Sequence, residues 1–119
     1  MPNSPQDVHK KVLGRKGEKA VEKFLKKSGL KILHRNFQTP FGEADLIAEE
    51  NDEIVFIEVK TRASHAYGSG VEAVGKTKKE RYYKIARYYG LQTGEEVNAR
   101  FDVAEVDGDW NINYYKNAF

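Results

Sequence analysis

Apolar residues recur along this chain with two periods, and the switches between them outline a fold. From Val8 to Ser28, Val21, Phe24 and Leu25 form a stripe at helical spacing, extended N-terminally by Val12 and Leu13, and Gly29 ends the run. Three short apolar-rich stretches follow, at Leu30–Arg35, Ala44–Glu49 and Glu53–Thr61, and read as strands. In the second and third, Leu46, Ala48, Val55, Ile57 and Val59 share one face while Ile47, Ile54 and Phe56 share the other. Strands apolar on both faces belong at the centre of a sheet covered on both sides.

Residues 62–75 show no periodicity and read as a mobile loop, punctuated by Gly68-Ser69-Gly70. Lys76–Tyr89 returns to the helical period, with Tyr82, Ile85, Ala86 and Tyr89 at i, i+3, i+4 and i+7. Ala99–Val106 and Trp110–Tyr115 flank Asp107-Gly108-Asp109 as a closing hairpin, in which Arg100 and Asp102 read as an intrastrand pair. The order α-β-β-β-α-β-β predicts an α/β fold, one mixed sheet flanked by helices, in a single domain over residues 1–119. Residues 1–7 are expected to be disordered.

Asn51-Asp52 is the natural turn between the second and third strands. With that pair as the loop, Asp45 faces Glu58 and Glu43 faces Lys60, and alternation puts all four on one face of the hairpin. A three-residue loop would shift the register and break this square. Two facing carboxylates repel and destabilise a sheet, so a positive partner is expected between them. A divalent ion held by Asp45 and Glu58, with the Val59 carbonyl near the same point and Lys60 beside it, would supply one. In one-step phosphodiester hydrolysis such an ion would polarise the phosphate and activate the attacking water. The plainer alternative is a salt-bridged exposed hairpin with a Glu43–Lys60 cross-strand pair. Glu18 lies at the margin of the first helix's apolar stripe, which turns its carboxylate toward the sheet, and Gly14 and Gly17 leave bare backbone beside it; a solvated Glu beside a helix-packing pair of glycines is the alternative.

Charge sharpens this picture. Net charge is only +2, yet residues 1–35 hold ten Lys/Arg against three acids, and residues 36–59 hold seven acids and no Lys/Arg. Residues 60–90 then hold eight bases against two acids. Basic segments bracketing an acidic centre suit a polyanion surface around a carboxylate cluster; solvated helix faces are the alternative. Arg15, Lys16, Arg62, Lys76, Lys78 and Lys79 are the candidate nucleic-acid contacts.

Several classes are excluded or disfavoured. With no cysteine there is no disulfide, thiolate zinc site or cysteine nucleophile. Mean hydropathy is −0.72 and no apolar run approaches the ~20 residues that span a bilayer, so no membrane association and a cytoplasmic location are expected. Gly70–Thr77 matches the phosphate-loop pattern in letters, but no strand leads into it and Glu72 opposes a phosphate cradle, so no nucleotide cofactor is expected.

Gly14-Arg15-Lys16-Gly17-Glu18, Arg35-Asn36-Phe37, Gly42-Glu43-Ala44-Asp45-Leu46-Ile47, Phe56-Ile57-Glu58-Val59-Lys60-Thr61-Arg62 and Arg100-Phe101-Asp102-Val103 together resemble the YraN family of small bacterial proteins. That family is similar to the restriction-endonuclease-like superfamily, especially the Holliday-junction resolvases. The resemblance implies a restriction-endonuclease-like fold. It implies metal-binding and catalytic roles for Asp45, Glu58 and Lys60, and matches Glu18 to the resolvases' helix glutamate. The expected function is a Mg2+- or Mn2+-dependent endonuclease hydrolysing phosphodiesters in DNA, branched or single-stranded, and acting as a homodimer. A non-catalytic nucleic-acid-binding module on the same fold is the alternative, and a partner-binding protein using the Tyr-rich second helix is a third.

Overall fold

A computed structural model describes residues 5–61, 75–94 and 96–119, with side chains from residue 15 onward. The expected mobile loop, together with Arg62, lies almost wholly outside the described residues. So do residues 1–4 and most of the phosphate-loop match. The elements are α1 (Pro5–Lys27), β1 (Lys31–Thr39), β2 (Gly42–Glu50), β3 (Glu53–Thr61), α2 (Lys76–Thr93), β4 (Ala99–Val106) and β5 (Ile112–Tyr115). Strands lie in the order β1-β2-β3-β4-β5, antiparallel throughout except for the parallel β3/β4 pair that α2 separates in sequence. This is the expected α/β architecture, a five-stranded mixed sheet with one helix packed on each face.

Each face has its own core. Val21 and Leu25 of α1 pack on Leu46, Ala48, Val55 and Ile57. On the opposite face, Tyr82, Ile85 and Tyr89 of α2 pack on Ala44, Ile47 and Phe56. Helix α1 ends where its backbone changes hand. Gly29 adopts φ +94° and donates to Lys26 O, and Leu30 N donates to Leu25 O at 3.0 Å. Those two bonds satisfy carbonyls the helix would otherwise leave open, and Leu30 joins Leu25 in the core as the apolar seal of that cap. Several boundaries differ from expectation: α1 begins at Pro5, β1 runs on to Thr39, β2 begins at Gly42, α2 continues past Gly90 to a left-handed Gly94, and β5 begins only at Ile112.

The β2–β3 turn falls at Asn51-Asp52, with Asn51 left-handed at φ +55°. Pairing runs from Glu50↔Glu53 to Leu46↔Ile57, the expected register. Beyond Ile57, β3 stays paired to β4 as far as Thr61↔Val106. The sheet therefore forks after Leu46, and the fork is where the chemistry collects.

Candidate functional site

The fork arises from a half-twist shared by two neighbouring strands. On β2, Ala44 packs with the α2 core but Leu46 packs with the α1 core, although residues two apart normally share a face. On β1, Arg35 reaches Glu22 of α1 while Phe37 joins the α2 core. The ladder pairs Arg35↔Leu46 and Phe37↔Ala44, so the positions at which alternation fails are Asn36 and Asp45. Asn36 takes φ +50°, a left-handed conformation that Asn tolerates better than most residues.

One consequence corrects the sequence-derived square. Asp45 does not simply project from a face: its Oδ2 accepts the Val59 N–H at 2.8 Å, replacing a ladder bond with a side-chain one. The β2/β3 ladder ends at Leu46↔Ile57, so Glu43 and Lys60 are not a ladder pair. Glu43 turns toward α1, where the Asn36 amide, oriented with nitrogen toward the acids, donates to Glu43 Oε1 (2.9 Å) and Glu18 Oε2 (3.3 Å). Lys60 lies two residues beyond Glu58 and beside Glu105 in the β3/β4 register.

Glu58 points to the α2 side. Lys78 Nζ donates to its Oε1 at 2.6 Å, and the Tyr82 hydroxyl donates to its Oε2. Lys78 and Tyr82 are one helical turn apart and so converge on one acid. Sequence reasoning missed both partners: Tyr82 reads as core and Lys78 as a surface base, and only their i, i+4 spacing hints at a shared target.

Electrostatics at the fork are lopsided. Burial, then the Glu58 charge, push the Asp45 carboxyl up to about 7 against the stabilising Val59 N–H, with Glu18 and Glu43 adding to the rise. Glu18, half-buried on α1, is raised by burial and by Glu43, partly offset by Asn36 and Arg15. Burial and the Glu58 and Asp45 charges drive the Tyr82 hydroxyl far above its ordinary value, so it acts as a donor. Glu18 is placed by close packing. A β-carbon on Gly17 would come within 2.2 Å of Thr61 Oγ1, so only glycine lets α1 approach β3 this closely. Beside Glu18 opens a cleft of about 230 Å3, with Arg15, Arg35 and Asn36 in its wall.

Asp45 and Glu58 thus meet at the fork, with Glu18 and Glu43 near enough to act on Asp45. Among the described residues, no three of His, Cys, Asp and Glu form a metal-holding group. Val59 contributes its amide to Asp45. Of the expected nucleic-acid contacts, Arg15, Lys16 and Lys76 are exposed and Lys79 is half-buried, whereas Lys78 is engaged with Glu58.

A forked mixed sheet between two helices, with acidic side chains gathered at the fork, defines a small α/β domain of carboxylate-site type. The chain belongs to UPF0102, described as "Uncharacterised protein family UPF0102", whose model matches residues 17–106. This is the YraN family that the sequence motifs resemble. It is 43% identical over 118 residues to a UPF0102 protein of Caldicellulosiruptor saccharolyticus, covering 94% of this chain and 100% of that relative. It is 44% identical over 115 residues to one of Clostridium acetobutylicum, covering 92% and 94%. The matched span begins at the glycine that docks α1 and ends with β4, so it contains Glu18, Glu43, Asp45, Glu58, Lys60 and Lys78.

Proposed function

We propose that the chain is a divalent-metal-dependent endonuclease on a restriction-endonuclease-like fold, hydrolysing phosphodiesters in branched or single-stranded DNA. The observation that carries this reading is the Asp45 carboxyl, oriented by the Val59 N–H yet repelled by Glu58, Glu18 and Glu43. Such an acid is short of positive charge. Hard oxygen donors suit Mg2+ or Mn2+, and one or two carboxylates is the number Mg2+ commonly takes while keeping its waters. Bound there, the ion would supply Lewis acidity and a water of lowered pKa.

The chain's own residues would do the rest. Asp45 and Glu58 hold the ion, with the Val59 carbonyl as the further donor expected from sequence. Lys60 faces the reacting phosphate, Glu18 orients water from the α1 side, and Glu43 acts through the shared Asn36 amide. The basic residues Arg15, Lys16, Lys76 and Lys79 bind the phosphate backbone, as does Arg62. A cytoplasmic homodimer acting on a two-fold substrate belongs to the same reading. Among the described residues no helix is long and apolar enough to cross a membrane.

A second reading rests on Lys78 and Tyr82, which already satisfy Glu58 without an added ion. It makes the chain a nucleic-acid-binding module that retains the acids for structure. Cleavage of four-way junction, flap, single-stranded and duplex DNA with Mg2+ or Mn2+, beside Glu58→Ala and Asp45→Asn, separates the two. The nuclease reading expects cleavage lost in both variants with DNA affinity kept. Equal cleavage by the variants, or none by the unaltered protein, overturns it.

A further inference from the structure

The β1–β2 turn and the outer face of α2 enclose a groove of about 480 Å3 lined by Phe41, Lys84, Arg87, Tyr88 and Leu91. We infer that this groove is a binding track for single-stranded nucleic acid, with Phe41 and Tyr88 receiving a base and Arg81, Lys84 and Arg87 receiving phosphates. The inference rests on the nucleic-acid reading and adds to it a surface, and a preference for unpaired strands.

Chemistry of the lining selects the occupant. Phe41 leaves 45% of its surface exposed at the tip of a turn, and Leu91 leaves 77%. The Phe41 and Tyr88 rings meet edge to face, 6.4 Å between centroids, and Lys84 Nζ lies 5.8 Å from the Phe41 centroid. Among the described residues no acid lines the groove. Helix α2 carries six Lys/Arg against one acid, Glu80. An apolar partner would leave the cations unanswered, and an acidic peptide would leave the rings unused. A polyanion that also carries planar rings answers both.

Arg81 joins the groove to the carboxylate site. Its side chain lies against the β1–β2 turn, so close that a β-carbon on Gly42 would meet its Cδ at 2.7 Å. Its Nε is buried with no hydrogen-bond partner among the described residues, a cost the side chain would recover by turning outward to a phosphate oxygen in the groove. Arg81 adjoins Tyr82 and stands one turn from Lys78, both partners of Glu58. From Lys78 to Tyr88 the helix rises about 15 Å, a length a few nucleotides can follow. Stacking on a side-chain ring needs an exposed base face, which a duplex offers only at its ends.

The test measures binding with cleavage switched off. Fluorescence anisotropy would follow a labelled oligothymidine and a duplex of equal length in EDTA, with circular dichroism melts checking the fold of each variant. Phe41→Ala is expected to weaken single-strand binding about fivefold or more, with little effect on duplex. Lys84→Gln with Arg87→Gln should lower the slope of log affinity against log salt by about 1.4, roughly 0.7 for each phosphate no longer neutralised. No single-strand binding by the unaltered protein, unchanged binding in both variants, or equal losses on duplex would overturn the inference. So would loss of self-association in place of binding, which would make the groove an interface between copies. The two readings fail separately. Absent cleavage with groove-dependent binding removes only the nuclease, whereas cleavage with groove-independent binding removes only the groove.

Discussion

The Val59 amide donates to Asp45 Oδ2 at 2.8 Å, so a backbone group of one strand fixes a carboxylate of its neighbour where their ladder has stopped. The bond holds Asp45 in place without neutralising it. Burial and the Glu58 charge still hold its carboxyl near 7, against an ordinary 3.8.

That imbalance sets a pH dependence. An acid whose folded value lies above its unfolded one is stabilising while protonated, and the advantage is lost as pH rises from about 4 through about 7. Metal-free protein should therefore melt at a higher temperature at pH 5 than at pH 8. Asp45→Asn keeps an acceptor for the Val59 N–H and removes the charge, so its melting temperature should change less over that range. A slope unaltered by the substitution would refute the assignment to Asp45.

Lys78 competes for the same acid that an ion would use. Its ammonium sits 2.6 Å from Glu58 Oε1. Lys78→Met should tighten Mn2+ binding in isothermal titration calorimetry, because an entering ion no longer displaces a bound cation. Weaker Mn2+ binding in that variant would mean that Lys78 organises the site instead.

Gly17→Ala should cost stability through its clash with Thr61 Oγ1, about 1–3 kcal/mol as overpacking typically does. The clash can be removed from the other side. In a Thr61→Ala background the same substitution should become neutral or stabilising, by up to about 1 kcal/mol from helix propensity. Urea denaturation of the four proteins in the cycle reads this coupling. Equal effects in both backgrounds would show that the close approach is not the reason for glycine.

A second buried charge cluster serves stability. Arg100, 5% exposed, donates to Asp102 (3.0 Å), Glu50 (2.7 Å) and Glu53 (3.2 Å). Asp102 is fully buried and also accepts from the Tyr114 hydroxyl and the Asn117 N–H. Arg100→Met would strand that carboxylate and should destabilise the fold by about 3–5 kcal/mol in chemical denaturation. A loss below about 1 kcal/mol would mean the remaining two donors suffice.

The hairpin register was legible because Asn51-Asp52 is a two-residue turn, and turn length dictates which residues face one another. The two-sided burial of β2 and β3 was legible from their apolar content on both faces. The half-twist at Asn36 and Asp45 was not, because it belongs to two paired strands at once and strict alternation is the only rule a sequence offers. Asn36 was its one local signal, as a residue that accepts left-handed geometry. The Arg100–Asp102 pair is local and could be read from spacing two along a strand. Glu50 and Glu53 could not, because they lie some fifty residues away in sequence and meet Arg100 only through the sheet.

The fork also has a history in time. Asp45 and Glu58 are thirteen residues apart and are brought together by a local turn, which closes readily. Lys78 and Tyr82 arrive only when the chain after β3 has returned as α2, and β4 must then find its parallel place beside β3. Long-range parallel pairing is a slow step. A hairpin formed before α2 packs on it would hold Asp45 and Glu58 without the Lys78 ammonium beside them.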